Sequence, residues 1–231
     1  MSEGKFVVDK KKKYVIFCDF DGTITVNDNI IAIMKQFQPT GWDGIVERIL
    51  SKQMTIREGV GTMFSLLPVS RRDEIEHYSI HNITIRDGFG DLLDFCAQQT
   101  VDFYVTSGGI DFFVYPTLEP YPIARDHIFC NHSDFSGETI RVTWPHPCDE
   151  HCHNDCGMCK TTVMRRFPTE EYTRIVIGDS ITDVEAAKIA DHVFARSHLI
   201  ESCKQLGITC HEYETFYDVL AKLKEVIACP S

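Results

Sequence analysis

The sequence predicts a doubly wound α/β protein: a parallel-sheet core carrying an inserted helical segment and a small β-hairpin. Two observations predict it. Short runs of apolar, β-branched and aromatic residues alternate with helical patterns, and the three clearest runs end in polar turn residues, DFDGT, TSGG and GDSITD. The length of 231 residues, 43% hydrophobic and 25% charged, bounds this at one domain with an insertion or two small domains, with ample chain for a core.

The elements follow in order. The opening MSEGKFVVDKKKKY has lysines but no apolar stretch of signal-peptide length, and its lysine run at 10–13 reads as a solvated lead-in. YVIFCDF (14–20) is a strand apolar enough to be buried on both faces. From 29 to 86 the pattern turns helical, rich in Ile, Met, Phe and Leu, with polar breaks at QPTGWDG and LLPVS. That is too long for a βα connection, so residues 29–86 are expected to form a helical subdomain on a core of 1–28 and 87–231. GDLLDFCAQQ (90–99) is helical and VDFYVTSG (101–108) a strand; IFCNHSDFSGETIRVTW (128–144) is two alternating runs around SDFSGE, a hairpin. RIVIGDS (174–180) and HVFARS (192–197) are strands, while DVEAAKIA (183–190) and TFYDVLAKLKEVI (215–227) are helices. Cys18 and Cys96, within apolar runs, read as small buried side chains.

Charge narrows the function classes. With 23 Lys and Arg against 34 Asp and Glu the net charge is −11, which argues against a general grip on nucleic acid or an anionic membrane. No window approaches a membrane span, so a cytoplasmic protein is expected. An anionic substrate would need a local cation.

In an open parallel sheet, ligands bind outside the carboxyl ends of the strands. Asp19, Asp21, Ser107, Asp179 and Asp183 should therefore converge on one pocket, where their repulsion calls for a hard divalent cation, best Mg²⁺. Asp19, aimed into the crevice, suits a nucleophile on phosphorus, giving an acyl phosphate that water then cleaves. Asp21, further out, suits the acid that protonates the leaving alkoxide and the base that activates water. Gly22 permits a tight turn, and Thr23 can bond the turn or the adjacent site. Thr106 or Ser107, with the amides of Gly108 and Gly109, would cradle phosphate oxygens at a helix start, and Lys160 is a candidate to balance charge. A lone DxD, Ser-Gly-Gly or Gly-Asp-Ser is usually a turn or cap. Three of them on successive strand ends, in this order, are a different matter.

DFDGT, TSGG, a lysine and GDSITD together resemble the four-part signature of the haloacid dehalogenase-like superfamily, over nearly the whole chain. The resemblance implies a Rossmann-like core and Mg²⁺-dependent phosphoryl transfer through an aspartyl-phosphate. By position, Asp19 resembles the nucleophile, Asp21 the acid/base, Ser107 the phosphate-binding residue and Lys160 the motif lysine. Asp19, Asp21, Asp179 and Asp183 are the implied metal ligands, and the 29–86 segment resembles the helical (C1) cap of phosphoserine phosphatases. EGVGTMFSLLP (58–68), TSGGIDFFVYPTLE (106–119) and HPCDEHCHNDCGMCK (146–160) further resemble the methionine-salvage phosphatases of that superfamily. Their small phosphate ester bears a methylthio tail, for which Met54, Met63, Phe64 and Leu66 would form an apolar lid unless they are simply the cap's own core. Glu58 is placed to face substrate hydroxyls, yet Arg48, Arg57 and Glu58 also keep an amino-acid ester open, so a phosphoserine-phosphatase-like activity is the alternative.

Ten cysteines are many for a chain with no export signal. Cys148, Cys152, Cys156 and Cys159 run C-x3-C-x3-C-x2-C with His146, His151 and His153 interleaved, a spacing that can build a tetrahedral zinc site. Only Cys156 and Cys159 form a C-x-x-C pair, so disulfides and free thiols stay open. A structural Zn²⁺ would brace the loop that delivers Lys160. His77, His81 and His192 read as surface or satisfied polar residues. A non-catalytic, zinc-braced binding module is a third reading, opposed by the presence of Asp19, Asp21, Lys160 and Asp179 together. A homodimer is also open, since nothing fixes whether the cap or the Cys/His loop packs against a second subunit.

Overall fold

A computed structural model describes residues 12–228. At its centre KYVIFC forms β1 (Lys13–Cys18), whose side chains alternate between two apolar layers: Ile16 and Cys18 join the larger core cluster, Val15 and Phe17 a second. A strand buried on both faces must be covered by helices on both. The other strands are β2 (Asp102–Ile110), β3 (Ile128–Asp134), β4 (Arg141–Thr143), β5 (Tyr172–Gly178), β6 (His192–Ala195) and β7 (His211–Glu212). They form one sheet, ordered β4-β3-β2-β1-β5-β6-β7, parallel except for β4. Phe17 sits opposite Tyr104 on one side and Val176 on the other.

Ten helices follow in chain order among the described residues. The insertion holds α1 (Asn29–Phe37), α2 (Trp42–Leu50), α3 (Ile56–Ser65) and α4 (Arg72–His81). The core holds α5 (Phe89–Gln99), α6 (Asp111–Leu118), α7 (Lys160–Met164), α8 (Val184–Ala187), α9 (Ser197–Leu206) and α10 (Phe216–Ala228). α5 and α10 cover the Ile16 face, where the rings of Phe89 and Phe216 lie 5.3 Å apart. Val163 and Met164 of α7 cover the Phe17 face. Each such large side chain contributes about 1.5–3 kcal/mol of burial.

The chain enters and leaves the insertion side by side: Val26 N–H donates to Thr84 O at 2.9 Å, and Arg86 N–H to Ile24 O at 2.8 Å. Asp28 caps α1 by accepting from Ile31 N–H at 3.0 Å, and Thr55 with Glu58 closes a capping box on α3. Met63 and Phe64 are fully buried core residues, while Met54 and Leu66 pack partly buried against that core. Cys18 and Cys96 are buried as expected.

Several expectations need correction. β2 does not stop at TSGG but runs to Ile110, with its register against β3 shifting between Thr106 and Ile110. Two glycines there allow the strand to bulge instead of turning into a helix. The 128–144 hairpin forms, but β3 also pairs in parallel with β2, so it is the edge of the main sheet. The helix read at 183–190 shrinks to α8 behind a 3₁₀ turn at Ile181–Asp183, and β7, α6, α7 and α9 were not legible. Of the lysine run, 10 and 11 lie outside the described residues, and Lys12 and Lys13 are exposed. Among the described residues no helix is long and apolar enough to cross a membrane.

Candidate active site

Asp19 follows the last residue of β1, pinned by its N–H to Ile177 O at 2.9 Å. It is buried, as are Lys160 and Asp183. Lys160 Nζ lies 2.7 Å from Asp19 Oδ1 and also bonds Asp183 Oδ1. Asp183 is anchored in turn, its Oδ2 accepting from the backbone N–H of Asp179 and of Ser180, each at 3.1 Å. Thr23 Oγ1 donates to Asp179 Oδ1 at 3.3 Å. Strands β1 and β5 thus bring one carboxylate oxygen each of Asp19, Asp179 and Asp183 within 4.8 Å of one another.

One ammonium against three carboxylates leaves two negative charges in a largely dry site. The acid constants register the excess. Burial, then repulsion from Asp183, hold the Asp19 carboxyl well above the usual range despite Lys160, and the same causes raise Asp179 to about 6. Burial opposes the charge on Lys160, but Asp183 and Asp19 outweigh it and hold its pKa above the ordinary value. Three hard oxygen donors in this arrangement fit a divalent cation of the Mg²⁺ type.

The fourth proposed ligand, Asp21, is not in that cluster. Its Oδ1 accepts from Asn29 N–H at 2.9 Å and from Asn29 Nδ2 at 2.6 Å, which turns the carboxyl toward the start of α1. Its other oxygen lies against the glycine pair: a Cβ at Gly109 would sit 2.8 Å from Asp21 Oδ2 and 2.9 Å from Ser107 Oγ. Burial first, then the Asp28 charge, push the Asp21 carboxyl up to about 7 against the Asn29 hydrogen bonds. A carboxyl that keeps its proton near neutrality beside Ser107 and Gly109 suits an acid, not a metal ligand.

Thr106 and Ser107 are buried within β2, four and three residues before its end at Ile110. Of the two amides expected to hold phosphate, that of Gly109 donates to Ser107 Oγ at 2.9 Å; Gly108 O accepts from Asn131 Nδ2 at 2.8 Å. The helix start lies two residues further on, at Asp111. Gly22 is required: its φ is +76°, and any Cβ would collide with Asp179.

Sequence reasoning missed two residues. Buried Arg86 donates Nε to Thr23 O at 2.8 Å and Nη2 to Gly22 O at 2.7 Å, clamping the turn after Asp19 from the far end of the insertion. Asn29 sets the orientation of Asp21. Neither carries a sequence signal, since each acts through a partner distant along the chain or across a turn. Glu58, by contrast, is occupied: its Oε2 accepts from Thr55 N–H at 3.1 Å. Arg48 is exposed on α2.

The four cysteines also come together, with one Sγ from each of Cys148, Cys152, Cys156 and Cys159 within 4.8 Å of the others. None of the described cysteines is in a disulfide. The interleaved histidines stay outside: His151 and His153 are exposed, and His146 packs edge-on against Phe129, centroids 5.1 Å apart. His77 and His81 stack on each other on the exposed side of α4.

The model of the haloacid dehalogenase-like hydrolase family matches residues 16–188. The chain belongs to the haloacid dehalogenase-like hydrolases. Phosphatases of this family use Mg²⁺, in accord with the three-carboxylate cluster. A protein of Brevibacillus brevis named 2-hydroxy-3-keto-5-methylthiopentenyl-1-phosphate phosphatase is 51% identical over 215 residues, 93% of this chain and 97% of its own length. The Geobacillus thermodenitrificans protein of the same name is 49% identical over 94% of this chain and all of its own. Among solved structures, a phospho-aspartyl intermediate analogue of phosphoserine phosphatase superposes with a TM-score of 0.66 over 92% of this chain and 99% of its own, at 18% identity. That likeness shows the fold alone.

Proposed function

We propose that this family phosphatase acts on 2-hydroxy-3-keto-5-methylthiopentenyl-1-phosphate, releasing the dephosphorylated enediol and inorganic phosphate in methionine salvage. The observation that carries the substrate is about half identity, along nearly the full length, to proteins bearing that name. A cytoplasmic setting goes with this reading.

The steps follow from the residues. Asp19, held through Oδ1 by Lys160, attacks phosphorus with its other oxygen, so that an O–P bond forms as the ester P–O bond breaks. Asp21 gives its proton to the departing oxygen, then takes one from the water that cleaves the acyl phosphate and frees Asp19. Thr106 and Ser107, with the Gly108 amide, hold the phosphoryl oxygens while Gly109 N–H fixes the Ser107 hydroxyl, and Lys160 offsets charge on Asp19. A divalent cation bound by Asp19, Asp179 and Asp183 would supply the positive charge that lets two anions approach. Helices α1–α4 serve as the cap over the strand ends.

The phosphoserine alternative needs a carboxylate- and ammonium-binding pair in the cap. Arg57 pairs with Asp155 at 3.1 Å, and Glu58 is spent on the capping box, so two of the three cap residues open to that task have other partners. The test is phosphate release from both esters with Mg²⁺. A preference on the order of 10²-fold or more for the methylthio ester is expected; equal or faster turnover of phosphoserine would overturn the substrate.

A further inference from the structure

The segment 144–159 joins β4 to α7 without a helix or strand of its own. Structureless connections of that length are uncommon in a compact domain. Its turns nonetheless bring four sulfurs together. Asp155 (φ +50°) and Gly157 (φ +79°) flank Cys156 in left-handed conformations that roll the chain over the cluster. Cys156 N–H donates to Cys148 Sγ at 3.4 Å, and the sulfurs of Cys152 and Cys156 lie 3.8 Å apart. Four thiolates around one zinc, with Zn–S of about 2.3 Å, stand roughly 3.8 Å from each other. The histidines contribute nothing to the cluster, so the donor set is all sulfur, which suits a soft or borderline ion and not the hard cation of the aspartates.

The ends of the segment say what such an ion would do. Cys159 is followed directly by Lys160, whose buried ammonium is held between Asp19 and Asp183. Asp155 reaches the insertion: its Oδ2 accepts from Thr55 Oγ1 at 2.9 Å, its Oδ1 from Arg57 Nη1 at 3.1 Å, and its backbone O from Arg57 N–H at 3.3 Å. The cysteine loop is thus the strap between the N-terminus of α3 and the catalytic lysine.

We propose that Cys148, Cys152, Cys156 and Cys159 bind one zinc ion as a tetrahedral thiolate site that fastens this strap. Four zinc–sulfur bonds form as the four thiols release their protons to solvent, with no change of oxidation state. The cysteines touch no substrate; they position Lys160 and the cap contact.

The test uses full-length protein purified without chelator. Expected is about one zinc per chain by elemental mass spectrometry. Exchange for Co²⁺ should give thiolate-to-cobalt charge-transfer absorption that is weakened in Cys156→Ser, which keeps three thiolates, and unchanged in Cys210→Ser. On zinc removal, amide exchange should quicken in the 144–165 segment and the first turn of α3 while β1 and β5 stay protected. Protein lacking stoichiometric zinc and unable to take up cobalt, or a mass showing paired disulfides among these four cysteines, overturns the site. Unchanged exchange after zinc removal overturns its fastening role. If Cys156→Ser does not fold, the wild-type metal content and cobalt spectrum still decide.

Discussion

The aspartate centre and the cysteine loop adjoin in the chain, meeting at Cys159 and Lys160, yet they are held by opposite means. Asp19 and Asp179 directly follow β1 and β5, two neighbouring strands in register from Lys13↔Tyr172 to Cys18↔Ile177, and Asp183 closes the 3₁₀ turn after β5. Their convergence follows from the sheet. The four sulfurs sit on a segment without strand or helix and converge through turns and contacts of their own. Donors on rigid strands can be called together by topology alone; donors on a loop need something at the centre to hold them.

Substitutions can break this contrast, and the largest effect should come at the strand end. Asp19→Asn should reduce phosphate release to background while thermal unfolding stays close to wild type, because an amide cannot attack phosphorus. Near-normal turnover would remove the nucleophile from the account. Asp21→Asn should slow turnover about 10²–10⁴-fold. With a pKa raised to about 7, Asp21 carries its proton below that pH and loses it above, so wild-type kcat/KM should fall on the alkaline side and the variant should lack that limb. A variant with an unchanged pH profile would assign the proton to another group.

Lys160→Met tests the junction itself. It leaves Asp19 and Asp183 buried without their cation and should destabilise the fold by about 3–5 kcal/mol in denaturant unfolding. A loss below about 1 kcal/mol would mean that solvent already screens the pair. The smallest effect belongs to the loop's outer contact. Asp155→Ala removes a partly exposed pair with Arg57 and the bond from Thr55 Oγ1 and puts Ala at φ +50°, and should cost about 1–2 kcal/mol of stability. A loss as large as that of Lys160→Met would make the cap contact, and not the lysine, the main anchor of the loop.

The same contrast explains what was legible. YVIF ending in DFD and RIVI ending in GDS are apolar runs closed by carboxylates, so the amino-acid sequence alone brings Asp19 and Asp179 to one edge of the sheet, while Asp183 reaches them through the 3₁₀ turn after β5. The same reading put Asp21 among the metal ligands: one residue past Phe20 the chain turns, and only the fold shows its carboxyl captured by Asn29. TSGG read as a strand end because glycines usually punctuate, but neighbouring β3 lets β2 run on as a bulged strand. β7 has only two residues, too few for any periodicity. Arg86 was invisible because its work is done on Gly22 and Thr23, more than sixty positions away. The cysteine spacing stayed open since C-x3-C-x3-C-x2-C does not state which way four thiols face.

The most direct test concerns the bond at the centre of the mechanism. Quenching turnover and reducing the protein with borohydride converts an aspartyl phosphate to homoserine, which peptide mass spectrometry locates. Homoserine is expected at position 19 and nowhere else. Reduction at another carboxylate, or none under conditions of active turnover, would contradict it.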